Sequence, residues 1–277
     1  MPVGGGIWLS SLIELMAKFG LSERLVRTGV YRLQKEGVLE SRTEGRRAFY
    51  SLSELGRTTF ETAERRIYHL SNNDWNGQWQ LVYLLPGLTS KERQRIKKEL
   101  RWQSFGELGP NLLARPSHMD FNCQSLKLGD DSASFVISFS GSLDNAFPEH
   151  SLSLLVTESW GLDQLQNDYE AFIERFSLVS VDVTNLFMED EPSAFVLRTL
   201  LIHDYRRILL RDPQLPEDLL PTNWAGKRAS KQAADLYRLT AQQSQEYVLT
   251  ELEEHRTVKP VISQDYWNRF GGLNSCQ

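Results

Sequence analysis

A chain of 277 residues with 40% hydrophobic and 24% charged residues is long enough for two or three domains and needs neither a metal nor disulfides to complete its core. Its two cysteines, Cys123 and Cys276, are far apart in sequence and form no Cys-x-x-Cys pair, which argues against a zinc site and for a reducing compartment. No apolar run reaches the roughly 20 residues of a membrane span, and MPVGGGIW lacks a basic-then-apolar leader, so the expected location is the cytoplasm.

Residues 8–18 (WLSSLIELMAK) predict a short amphipathic helix, preceded by a glycine run expected to be merely flexible. Ser22 is a good N-cap for a second helix over 23–36, and Gly37 a stop signal. Strands are expected at 38–42 and 48–52, joined by a turn at Glu44-Gly45, and Ser53 caps a helix to about residue 70. The polar run SNNDWNG, 71–77, marks a domain boundary. Beyond it, 78–85 predicts a buried strand, 89–100 a charged helix, 112–115 and 134–139 strands, 162–176 a helix and 178–183 a further strand. From Pro192 the pattern is helical: one helix over 193–210, one or two over 229–254, with the proline-punctuated DPQLPEDLLPTNW between them. The fold class is α+β multidomain, with a winged helix-turn-helix at 1–72, a ferredoxin-like α+β domain at 73–185 and a helical C-terminal domain at 186–277.

Function concentrates in the first segment. Residues 1–70 hold eleven Lys/Arg against eight Asp/Glu, a net +3 in a chain of net −5. On the helical wheel of the second helix, Leu25, Val26, Gly29, Val30 and Leu33 gather on one side, with Gly29 expected to permit close helix contact. Arg24, Arg27, Thr28, Tyr31 and Lys35 gather on the other. Arginine suits guanine edges, Thr a thymine methyl and Lys a phosphate. An ordinary solvated face has the same pattern. What favours DNA is the hairpin after it, whose tip carries Arg42, Arg46 and Arg47 as a basic wing.

The runs ERLVRTGVYRLQKEGVLE and EGRRAFYSLSELG resemble the head of PaaX-type repressors of phenylacetate degradation. The resemblance continues through GQWQLVYLLPG, LRWQSFGELGPNLLARPS and DYEAFIERF. It is most specific at LLIHDYRRILLRDPQLPEDLLPTNWAG, residues 200–226, and at FGGLN, residues 270–274. It implies a winged-helix head, a ferredoxin-like middle domain similar to Cas2 proteins and a helical C-terminal domain. It also implies repression as a dimer, relieved by an aryl-CoA thioester such as phenylacetyl-CoA; because one reading helix covers only a few base pairs, the expectation is a homodimer on a pseudo-palindromic operator. Relative to the family, the chain starts late, at MPVGGG, and stops soon after FGGLN.

Two arginines and a histidine, Arg206, Arg207 and His203, can grip the phosphates of a coenzyme A moiety. Tyr205 lies beside them, and Trp102, Trp160 and Trp224 are candidate aromatic walls. Salt bridges between helices are the competing account of the cluster. No phosphate-binding Gly-x-x-x-x-Gly-Lys loop, Gly-x-Ser-x-Gly elbow or His-Glu-x-x-His motif occurs, and the middle strands QWQLVYLL and SFVISFS offer no carboxylates for a metal-dependent nuclease. The expectation is therefore a regulator without catalytic residues, resident metal or cofactor. The alternative is a regulator controlled by a different ligand or by protein partners.

Overall fold

Among the described residues, two antiparallel sheets organise the chain, one of three strands and one of four. The structure, a computed structural model, describes residues 5–68, 75–117, 134–142, 149–177, 179, 191–253 and 262–273. The strand expected at 178–183 lies outside these residues apart from Val179, as do both cysteines and most of the 71–77 boundary. The described residues form two compact units. The first comprises 1–70, 172–210 and 228–277, the second 71–171 and 211–227. The N-terminal elements share a unit with the C-terminal helices.

The first unit begins with β1 (Gly6–Trp8), α1 (Leu9–Ala17) and α2 (Glu23–Lys35), followed by β2 (Leu39–Glu44), β3 (Arg47–Leu52) and α3 (Glu54–Tyr68). Ser22 caps α2 as expected, its hydroxyl accepting from the Leu25 amide. Ser53 caps α3 through the Gly56 amide at 3.0 Å and donates to Gly37 O at 2.5 Å, which fixes the helix to the end of α2. The sheet runs β1-β3-β2. Expecting Gly6 to be flexible is incorrect: it pairs with Ser51, and a Cβ there would sit 2.4 Å from the Phe49 ring and 2.6 Å from Tyr50 O. Trp8 ends this strand rather than opening a helix, and packs edge-on to Phe49 at 5.2 Å.

The second unit holds β4 (Gln78–Leu84), α4 (Ser90–Trp102), β5 (Gly106–Gly109), β6 (Leu112–Pro116), β7 (Val136–Ser142) and α5 (Glu149–Trp160). Strand order is β5-β6-β4-β7, all antiparallel, so the central neighbours are not consecutive in sequence. Val82, Leu84, Ile96, Leu100, Phe105 and Leu113 form its core, all at most 2% exposed. The apolar positions of α4 thus close one face of the sheet, and Trp160 at the end of α5 packs over Gly106 and donates to Ser104 O at 2.9 Å.

Three helices complete the chain: α6 (Leu162–Ser177), α7 (Glu191–Leu209) and α8 (Ala225–Glu253), followed by the short α9 (Gln264–Trp267) and a 3-10 turn at Arg269–Gly271. α8 is one helix of 29 residues. Between α7 and α8 the proline-rich segment lies against the N-terminal half of α6. Tyr169 donates to Asp212 at 2.6 Å, the Trp224 ring meets Tyr169 at 5.7 Å, and the Ala225 amide donates to Gln166 at 2.9 Å.

Candidate nucleic-acid interface

Val26 and Val30 are the buried residues of α2, so the helix turns its opposite side outward. Arg24, Arg27, Thr28, Tyr31 and Lys35 are all exposed, Tyr31 at 67%. Their places on the wheel put them within one broad arc, as the sequence predicts. Two expectations for the apolar side need correction. Leu25 is 55% exposed, and a Cβ on Gly29 would meet nothing within 4 Å. Packing draws only on the narrower stripe centred on Val26 and Val30, which leaves Leu25 as an apolar group at the rim of the outward face. Sequence reading missed it because a leucine is assigned inward by default.

Some of these groups are already engaged. Arg27 pairs with Glu23 at 2.7 Å, and the Thr28 hydroxyl donates to Arg24 O at 2.8 Å. An exposed i,i+4 pair stabilises by only about 0.3–0.5 kcal/mol, so it leaves the Arg27 guanidinium available at small cost.

The β2–β3 hairpin carries the other cations. Glu44 pairs with Arg47 across a two-residue loop, Gly45-Arg46, and Gly45 at φ +60° supplies the backbone conformation the first loop position needs. Arg46 and Arg47 project at the exposed tip. Arg42 instead lies 4.4 Å from the centre of the Phe49 ring and 3.3 Å from Glu44, so it braces the ribbon.

Two contacts hold these elements to the rest of their unit. Leu15 of α1 is buried with Phe195 of α7 and Tyr247 of α8, flanked by Ile7, Met16 and Phe19. Phe19 meets Phe195 edge-on at 5.5 Å. The second contact is polar and aromatic. Arg269 of the C-terminal turn makes an ion pair with Glu64 of α3, donates to Tyr237 of α8 at 2.8 Å and lies 4.1 Å from the centre of the Tyr68 ring. Arg198 of α7 donates to Tyr266 at 2.8 Å. Phe270, in a left-handed conformation at φ +51°, fills the space between Tyr68 and Tyr237.

Burial works against the charge of Arg269, but Tyr237, Tyr68 and Glu64 outweigh it and keep the guanidinium protonated. Burial, reinforced by Tyr237, raises the Tyr68 hydroxyl well above the ordinary tyrosine range despite Arg269 and Arg198. A folded-state pKa above the unfolded value means stabilisation that is complete below about pH 10 and lost above it. The expected result is therefore a stability plateau from neutral pH to about 10, then a decline of up to about 1.4 kcal/mol per pH unit from this group. Urea titrations at stepped pH on the protein and on Tyr68→Phe would check it, the variant showing the shallower decline.

Comparison with known proteins places this arrangement. The family model "PaaX-like protein" matches residues 1–56, which hold α1, α2 and the hairpin, and "PaaX-like protein C-terminal domain" matches residues 160–250. The Transcriptional repressor PaaX of Escherichia coli (strain K12) is 39% identical over 272 residues, covering 98% of this chain and 86% of that protein. The chain belongs to the PaaX family. That is a family of transcriptional regulators, not of enzymes. The solved structure of the uncharacterized protein Rv0674 from Mycobacterium tuberculosis is similar over 86% of this chain and 90% of its own, with a TM-score of 0.56. At 23% identity that likeness speaks to the fold alone.

The second PaaX match contains the remaining candidate residues, except Trp102. His203, Arg206 and Arg207 are exposed on α7, at spacings that put them on one face. Tyr205 is not with them: it is 3% exposed, on the inward side with Leu201 and Ile208, and packs on Phe172 at 5.6 Å. Asp204 makes an ion pair with Arg175 of α6, so the helix-to-helix account holds for that part of the cluster. Trp224 is 7% exposed and committed to Tyr169, and Trp160 is half-buried over Gly106. Trp102 is 59% exposed at the end of α4. Tyr205 as an effector contact and Trp224 as an accessible aromatic wall are therefore corrected to core residues. Among the described residues, no group of three or more His, Cys, Asp or Glu side chains is placed to hold a metal, and no helix is long and apolar enough to cross a membrane.

Proposed function

We propose that this protein is a cytoplasmic transcriptional repressor of phenylacetate catabolic genes that binds duplex DNA as a homodimer and is released by an aryl-CoA thioester such as phenylacetyl-CoA. The observation that carries the DNA reading is the outward face of α2, Arg24, Arg27, Thr28, Tyr31 and Lys35, followed in sequence by a hairpin tip bearing Arg46 and Arg47. Helix, turn, helix and basic hairpin is the order of a winged helix-turn-helix, with α2 as the major-groove helix. In this reading 1–72 is the DNA head, 73–185 a ferredoxin-like, Cas2-like domain and 186–277 the helical domain. The central antiparallel pairing of β4 with β6 and β7 supports the middle assignment.

Arg24→Ala and Arg27→Ala should each weaken operator binding by about 1–3 kcal/mol while leaving random-sequence binding much less affected. Titration of both duplexes at one salt concentration tests this; equal losses on the two would make these side chains phosphate contacts. Arg46→Ala with Arg47→Ala should weaken binding to any duplex and flatten the plot of log K against log salt by about 0.9 per lost phosphate contact. An unchanged slope removes the wing from the interface.

A homodimer follows from reach, since one reading helix covers only a few base pairs and two-fold pairing doubles the contacts. For release, the exposed side chains of His203, Arg206 and Arg207 are the candidate grip for coenzyme A phosphates. They sit on the helix whose other half carries Phe195 and Arg198, the residues that contact α1 and the Arg269 cluster. A ligand that prefers a shifted α7 would then bias the head; one with equal affinity for both positions would change nothing. Free phenylacetate lacks the phosphates and should act weakly. Calorimetry with phenylacetyl-CoA against phenylacetate decides, and no heat together with no operator release at millimolar thioester would leave control by another ligand or a protein partner.

A further inference from the structure

α4 is the most basic element of an acidic chain: its thirteen residues hold six Lys/Arg and two Glu. Its inward and flanking positions are accounted for. Ile96 and Leu100 are in the core, Lys97 and Arg101 both pair with Glu107, and Arg93 donates to Asn111. The outward positions are different. Lys91, Arg95, Lys98 and Trp102 follow one another at spacings of four, three and four residues, all exposed. Lys91 and Lys98 make no ion pair among the described residues. Trp102, at 59% exposure, is the most exposed tryptophan among them and closes the row. Lys91, Lys98 and Trp102 belong to neither the core nor the capping box, which is built from Thr89 and Glu92, while Arg95 acts electrostatically on Glu92.

We propose that the outward face of α4 is a second contact for the sugar-phosphate backbone of duplex DNA, supplied by Lys91, Arg95 and Lys98, with Trp102 packing against deoxyribose. The inference rests on the DNA-binding reading above. Shape selects the duplex over a small nucleotide. The row lies on a convex helix surface and extends about 10 Å from Lys91 to Lys98 at 1.5 Å per residue. Small anionic ligands are held in concave sites, whereas a duplex presents about one charge per 1.7 Å of its axis to any extended basic surface. A contact of this kind adds affinity and fixes register without reading bases.

The test is binding of operator and random duplexes, over a salt series, to the full-length protein and to Lys91→Ala/Lys98→Ala. Both substitutions are on exposed positions outside the core. The expected result is the same fold loss on both duplexes, an unchanged specificity ratio, and a salt slope smaller by about 1.8, two phosphates at about 0.9 each. Trp102→Ala should lower affinity on both duplexes with the slope unchanged. Wild-type binding with a variant slope identical to it overturns the proposal. A variant that binds DNA normally but loses its response to the thioester also overturns it, and assigns the face to the effector's nucleotide. A wild-type protein that binds no duplex would instead sink the DNA reading, and this proposal with it.

Discussion

Replacing Arg269 by alanine should destabilise the first unit by about 3–5 kcal/mol, the range for removing one partner of a buried, hydrogen-bonded charge pair. The guanidinium is nearly enclosed, its side chain 10% exposed, and Glu64 is 29% exposed. Its loss leaves the Glu64 carboxylate facing tyrosines without a counter-charge, deprives the Tyr237 hydroxyl of a donor and uncovers the Tyr68 ring. Arg269→Lys keeps the charge but cannot reproduce two nitrogens on Glu64 and a third on Tyr237, so it should lose an intermediate amount. Glu64→Gln combined with Arg269→Ala should cost less than the sum of the single changes, since each single variant strands the other partner. Urea unfolding followed by tyrosine and tryptophan signals measures this. A loss below about 1 kcal/mol would place the pair with ordinary surface ion pairs.

The consequence for function comes from what the pair joins. Glu64 is on the helix that follows the hairpin, and Arg269 is 205 residues later, immediately before the FGGLN run. The Arg269→Ala head should therefore lose operator affinity even though α2 and the hairpin tip are untouched. Its salt slope should be preserved, since no phosphate contact is removed.

That pairing also marks where sequence reasoning stops. α2 was legible because everything that shapes it is local: the Ser22 cap, the 3.6-residue apolar period and the Gly37 stop. The same holds for the hairpin and for β4, whose QWQLVYL pattern alone carries a buried strand. Elements that exist through distant partners carried no such signal. β1 is three residues long and defined by pairing with β3, and β5, GELG, is four residues interrupted by a bulge against β6. The sequence leaves one helix or two open over 229–254, where α8 is in fact uninterrupted. Within it, Thr240, Ser244 and Gln245 are buried. Nothing adjacent to Arg269 in sequence points to Glu64. Tyr205 is a different case. Leu201, Tyr205, Ile208 and Leu209 recur at buried-face spacing, and that period outweighs the impression given by the neighbouring His203, Arg206 and Arg207.

Phe195→Ala should have an effect of comparable size at the other end of α7. Truncating a buried phenylalanine costs about 3–5 kcal/mol through lost transfer energy and the cavity left behind. Phe195 is 7% exposed and touches Phe19 at 5.5 Å and Tyr247 at 5.6 Å, so the cavity opens directly beneath α1. α1 in turn packs against α2. Amide exchange should therefore accelerate in α1 and α2 while β4 and β6, in the second unit, keep their protection. Leu113→Ala, in the core of that second unit, should give the reverse pattern at about 2–5 kcal/mol. Operator affinity should fall for Phe195→Ala, because a loosened α1 no longer fixes the angle at which α2 meets the groove. The milder Phe195→Leu, which keeps most of the volume, should retain binding and blunt release by the thioester if α7 carries that signal. Unchanged exchange in α1 would show that the hairpin and α3, rather than α7 and α8, set the position of the reading helix.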